Sequence, residues 1–181
     1  MSIVQTDHLK AYGIAFWTLK QGMNVEWLLN YEGGSFLIDN YSMIERECKI
    51  RGVYYEMVDA GRLGSIYGVI DENNMDVVLL EKKPKIAVYA PPTNQPWDDA
   101  VTMALTYSEI DYDVIFDDEI MEGKLSKYDW VHLHHEDFTG QYGKFYKNYR
   151  NSVWYKQQQA EFEVTAIKYG YSSVSEFKKT I

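Results

Sequence analysis

The sequence predicts an α/β protein: a small α+β module over residues 1–83, then the first part of a parallel sheet domain over residues 84–181. Three observations carry this reading. Lys85-Ile86-Ala87-Val88-Tyr89-Ala90 is a continuous apolar run with no polar alternation, the pattern of a strand buried on both faces. Val101, Ala104, Leu105 and Ser108 then follow at helical spacing, and strand-like stretches return at 112–116 and 130–134. Strand, helix, strand and a further crossover is the order of βαβ units.

The first module reads differently. Tyr12, Ile14 and Phe16 alternate with small residues and predict a strand, turned by Gln21-Gly22 into a second strand at Val25–Tyr31. Gly33-Gly34 turns the chain again into Ser35–Ile38, so residues 11–38 form a hairpin or small meander. Asp39 or Ser42 caps a short helix that Gly52 stops after Arg51. Val53–Val58 is strand-like, residues 59–72 are helical despite three glycines, and Met75–Leu80 is a short apolar run. After the third parallel strand comes a loop rich in Gly and Tyr, Phe138–Tyr149. Ser152–Tyr169 predicts a helix with Trp154, Gln158, Phe162, Thr165 and Ile167–Tyr169 inward, stopped by Gly170. A last short helix starts at Ser173 or Ser175.

Composition narrows the function classes. The 181 residues are 46% hydrophobic and 25% charged, as expected of a soluble globular chain. The net charge of -9 disfavours binding to nucleic acid or to anionic lipid. No apolar run approaches the roughly 20 residues of a membrane-spanning helix, and Met1–Lys10 lacks the regions of a secretion signal. These features fit a cytoplasmic protein, or a secreted or periplasmic one whose signal has been removed. Residues 144–181 hold seven Lys/Arg against three Asp/Glu, a net +4, which leaves -13 for residues 1–143. The basic tail is therefore expected to fold back on the acidic stretch around Asp111–Glu122. Cys48 is the sole cysteine, which excludes an internal disulfide. It is expected to be a buried, inert thiol.

The densest set of polar groups follows the third strand: His132-Leu133-His134-His135-Glu136-Asp137. The carboxyl ends of parallel strands line the crevice where such sheets bind ligands. His134, His135, Glu136 and Asp137 are thus candidate catalytic residues, as hydrogen-bonding groups or an acid/base pair. Extension of the strand to Glu136 would put His132, His134 and Glu136 on one face, a set able to hold Zn²⁺. The favoured alternative is a polar crevice lining with no metal, and no cofactor is expected. Trp97 and Asp98, after the first strand, and Gln141 and Tyr142, in the Tyr-rich loop, are candidate ligand contacts for an unidentified small molecule. Asp98 and Asp99 also suit a helix start. The loop after Lys85–Ala90 has no glycine-rich phosphate cradle, so a dinucleotide or P-loop site is excluded. The stripe Tyr142, Phe145, Tyr146, Tyr149 would suit a stacking surface for carbohydrate or peptide, or a core or oligomer contact.

At Lys85–Ala90, Gln95–Met103 and Tyr128–Tyr146, and upstream at His8–Ala15 and Val25–Leu37, the sequence resembles a bacterial family labelled asparagine synthetase B, whose members look like class I glutamine amidotransferases in fold. The resemblance implies a flavodoxin-like sheet, here incomplete at three of about five strands, and a chain that is the N-terminal half of a longer protein, inactive alone. Neither catalytic apparatus of such enzymes maps onto this chain. Ser2, not Cys, follows Met1, and no Ser-Gly-Gly-Leu-Asp-Ser loop for ATP occurs. Two further readings are a non-catalytic carbohydrate- or protein-binding module using the Tyr-rich loop, and a metal-dependent hydrolase using His132, His134 and Glu136. Strands left without neighbours predict a homo-oligomer.

Overall fold

Asp7 begins the first element: its side chain accepts from the Lys10 backbone N–H and frees the chain to enter helix α1, His8–Lys20. A computed structural model describes residues 4–90, 99–133 and 147–180. The chain divides into two compact units. One comprises Met1–Pro84 with Ala100–Asp111, the other Lys85–Asp99 with Tyr112–Ile181.

In the first unit, α1 replaces the expected strand at Tyr12–Phe16. The alternation there was misleading because α1 is buried over a wide arc that includes Gly13, Ile14, Ala15, Phe16, Thr18 and Leu19. Strands β1, Val25–Leu29, and β2, Ser35–Leu37, form the expected antiparallel hairpin, joined by a tight turn through Tyr31–Gly33. Helix α2, Ser42–Arg51, ends at Gly52 in the left-handed conformation, as expected, but its N-cap is Tyr41 and no side chain caps it. Val53–Val58, expected to be strand-like, is assigned to no strand. Helix α3, Ala60–Glu72, is capped by Asp59, whose carboxylate accepts from the Arg62 N–H. Strand β3, Asp76–Leu80, returns antiparallel to β1 and completes a sheet of order β2-β1-β3.

That sheet is covered on both faces. Val25 packs with Ala15 and Leu19 of α1, whereas Leu28 packs with Ile66 and Ile70 of α3. Helix α4, Ala100–Tyr107, also belongs to this unit. It runs so close to α1 that a Cβ on Gly13 would lie 2.0 Å from the Ser108 carbonyl oxygen. Only glycine permits that approach. The same edge of the unit is tied by Lys10–Glu109, Lys20–Asp111 and Arg51–Glu109 ion pairs.

In the second unit, β4, Ile86–Tyr89, is buried along its whole length, with Val88 1% exposed. It pairs parallel with β5, Asp113–Ile115, on one side and with β6, Trp130–Leu133, on the other. The sheet order is β5-β4-β6. The architecture is α/β, with the three parallel strands where the sequence places them. Between β5 and β6 run helix α5, Asp117–Met121, and a 3₁₀ turn, Lys124–Lys127. Helix α6, Val153–Lys168, follows Ser152, and α7, Val174–Phe177, is capped by the Ser173 hydroxyl. The inner side of α6 is narrower than expected: Ala166 is buried, but Ile167 is 75% exposed and Trp154 is also exposed. The basic tail does meet the acidic stretch, through Lys168–Asp118 and Lys178–Asp117. No helix among the described residues is long and apolar enough to cross a membrane.

Candidate functional site at the carboxyl ends of the parallel strands

Strands β4, β5 and β6 run the same way, so Tyr89, Ile115 and Leu133 mark one common end of the sheet. Two polar groups are built there. The first joins the crossover after β4 to β6: His132 Nε2 lies 3.0 Å from Asp99 Oδ2. Parallel pairing sets His132 opposite Val88, and Asp99 directly precedes α4. Asp99 is 7% exposed. A carboxylate can only accept, so the pairing places a proton on Nε2, and in the neutral imidazole Nδ1 is then the acceptor. Trp130, two residues back on the same strand face, sets its ring 6.3 Å from the imidazole.

The second group closes the end of β5. Tyr89 donates its hydroxyl to Asp117 Oδ1 at 2.5 Å, and Lys178 approaches Oδ2 at 3.3 Å. Asp117 is 1% exposed, and both of its carboxylate oxygens are engaged, as a buried carboxylate requires. The Lys178 ammonium also lies 3.9 Å from the centroid of Phe162, and Phe116 stacks between Tyr89 and Phe162. This arrangement is a lock. It fastens α6 and α7 to the strand ends. Next to it, the Lys168 ammonium beside Asp118 holds its carboxyl below the usual carboxylate range. A recess of about 580 Å³ opens between Phe116–Glu119 and the α6 face bearing Trp154, Gln158, Glu161 and Phe162.

Of the residues expected from the sequence, His132 stands at the strand end with an acidic partner. His134, His135, Glu136 and Asp137, and Trp97, Asp98, Gln141 and Tyr142, lie outside the described residues. So do two of the three residues of the possible Zn²⁺ set. Among the described residues, no group of three or more His, Cys, Asp or Glu is placed to hold a metal. Cys48 belongs to the first unit, where it is 4% exposed against Ile14, Ile44 and Val53, and burial pushes its thiol pKa up. Sequence reasoning missed the roles of Asp99, Tyr89, Asp117 and Lys178. Asp99 was legible only as a helix start, although a carboxylate at the end of a buried parallel strand is itself a crevice signal. The charge asymmetry of the tail pointed to the Lys178 pairing without naming it.

No family model, no curated protein and no solved structure matches this chain.

Proposed function

We propose that this chain is a portion of an asparagine synthetase B-like, glutamine amidotransferase-like protein, whose parallel sheet is the nucleus of a flavodoxin-like domain. In this reading it binds a small amino-acid-like molecule at the ends of β4 and β6 and does not turn it over unaided. What supports it is the placement of one pair, His132 with Asp99. The order β5-β4-β6 reproduces the first three strands of the 2-1-3-4-5 order, and ligands of such sheets bind where the crossovers diverge, between strands 1 and 3. That point is the β4/β6 junction, and the His132–Asp99 pair stands on it. The imidazole offers one acceptor nitrogen, suited to the ammonium or amide N–H of such a ligand. Nucleophilic hydrolysis of an amide needs an activated nucleophile beside a base. The sole cysteine is buried and belongs to the other unit.

Nuclear magnetic resonance titration with glutamine, asparagine and aspartate tests the reading. One of them is expected to shift the His132 ring resonances, with no ammonia released by the chain. His132→Ala should abolish the response. Release of ammonia by this chain, or a response unaffected by His132→Ala, would count against it.

A further inference from the structure

The first unit holds a second, larger concavity, a groove of about 710 Å³, within the size range of ligand sites. One wall is the outer edge of β2. This strand pairs with β1 on one side only, and its Phe36 and Leu37 are packed against the helical layers on opposite faces of the sheet. Both faces are thus covered, while no strand among the described residues pairs with the outer edge. Natural edges are usually blunted by Lys, Pro or a bulge. The run Ser35-Phe36-Leu37-Ile38 carries neither residue type, and the groove follows it on through Asn40.

The groove is also lined by Val53–Val58, a segment assigned to no helix or strand. Gln5 holds it at one point, its side-chain amide donating to the Tyr54 carbonyl. The β2 edge and this irregular segment therefore line one groove, and no ladder joins them. Such a space fits an added strand, whose main chain would satisfy the β2 edge.

Charge says what kind of strand. The lining carries Glu26, Glu32, Asp39, Glu45 and Glu56 against the single cation Arg62. Glu26, among the lining residues, uses Oε2 to accept from the Tyr67 hydroxyl at 2.5 Å, and Oε1 has no hydrogen bond among the described residues. Tyr31, Tyr54 and Tyr67 add ring faces able to receive an ammonium or guanidinium and its aliphatic stem. We infer that the β2 edge is a docking groove for an extended, Lys- or Arg-bearing peptide segment of a partner protein, bound by strand addition with a basic side chain directed to Glu26. The inference is independent of the β4/β6 site, which lies in the other unit.

The test uses the full chain and three fluorescein-labelled octapeptides: alternating Val and Lys, alternating Val and Glu, and the Val/Lys peptide with a central proline. Fluorescence anisotropy is expected to show the Val/Lys peptide binding at least about tenfold more tightly than either control. Binding should shift the backbone amide resonances of residues 35–38. Glu26→Gln and the exposed-site Glu56→Lys, each checked for native circular dichroism, should weaken the Val/Lys peptide by about threefold or more. Equal affinity for the three peptides, no binding, or undiminished binding to folded Glu56→Lys overturns the inference. So does a peptide-free dimer whose contacts protect residues 35–38, because it would assign the edge to a second copy.

Discussion

The two sheets place their polar chemistry in opposite ways. In the parallel sheet, the central strand β4 carries no charged residue and is buried throughout, and the polar groups of the candidate site lie outside it, His132 near the end of β6 and Asp99 and Asp117 beyond the strands. In the antiparallel sheet, the central strand β1 carries Glu26 within its span, held by Tyr67 from α3. The parallel strand must be covered on both faces by crossovers, so it can carry no side-chain charge. A central antiparallel strand tolerates one where a facing helix supplies a donor. The lesson is that a polar residue inside a strand and a polar residue after it report different kinds of site.

The edges tell the same story in reverse. After Asp76, β3 is an apolar run like β4, yet Leu79 is 52% exposed, and Val114 of β5 is 58% exposed. Hydrophobicity of a strand reports centrality only when a second layer covers it.

The comparison can be broken, and the largest effect is expected at the α1–α4 contact. Gly13→Ala pushes a methyl into backbone at 2.0 Å and should cost about 4 kcal/mol in urea unfolding. Peptide-resolved hydrogen exchange should place the loss in residues 4–84 and 100–111. Asp117→Ala removes the acceptor of Tyr89 and Lys178 and should cost about 3 kcal/mol, with protection lost from the tail helices. Full retention of tail protection would show that the lock is dispensable. Val88→Ala opens a cavity in the buried strand and should cost about 2.5 kcal/mol, whereas Leu79→Ala at the exposed edge should cost about 0.5 kcal/mol. Equal costs would erase the contrast between β4 and β3.

The smallest effects come from titration. Tyr67 is pushed up to about 12, chiefly by its hydrogen bond to Glu26. Because the folded value lies above the unfolded one, this contribution is complete below about pH 10 and is lost as pH rises toward 12. Tyr67→Phe should remove that alkaline loss, read by pH-dependent thermal melts. Glu109 and Asp111 in one unit, and Asp118 and Glu119 in the other, are held below the usual carboxylate range, mainly by hydrogen bonds to lysines or, for Glu119, to the Phe116 backbone. Their contribution is complete above about pH 4 and falls away as acid titrates them. Both units should therefore loosen together in acid, while only the first responds to Tyr67→Phe in alkali.

Much of the fold was legible because its signals were local. The β4 run, the Gly52 stop of α2, the Asp59 start of α3 and the Ser173 start of α7 each need only neighbouring residues. Helix α1 was misread because burial on several sides erases helical periodicity, leaving the accidental alternation of Tyr12, Ile14 and Phe16. Its Asp7 cap was the overlooked signal. Val53–Val58 has strand propensity but pairs with no strand among the described residues, and propensity alone does not make a ladder. At the candidate site His132 was visible and Asp99 was not. Their pairing spans 33 residues, and only the three-dimensional course of the crossover brings them together.

Because residues 100–111 belong with Met1–Pro84, the chain leaves its first unit, builds β4, and returns before finishing either. A nascent chain cannot complete the earlier body until Asp111 has emerged, and by then a wholly apolar β4 is already out and unpaired. Synthesis thus passes through a stage at which an aggregation-prone strand waits for its neighbours, and recombination at any single point would leave one body lacking a piece.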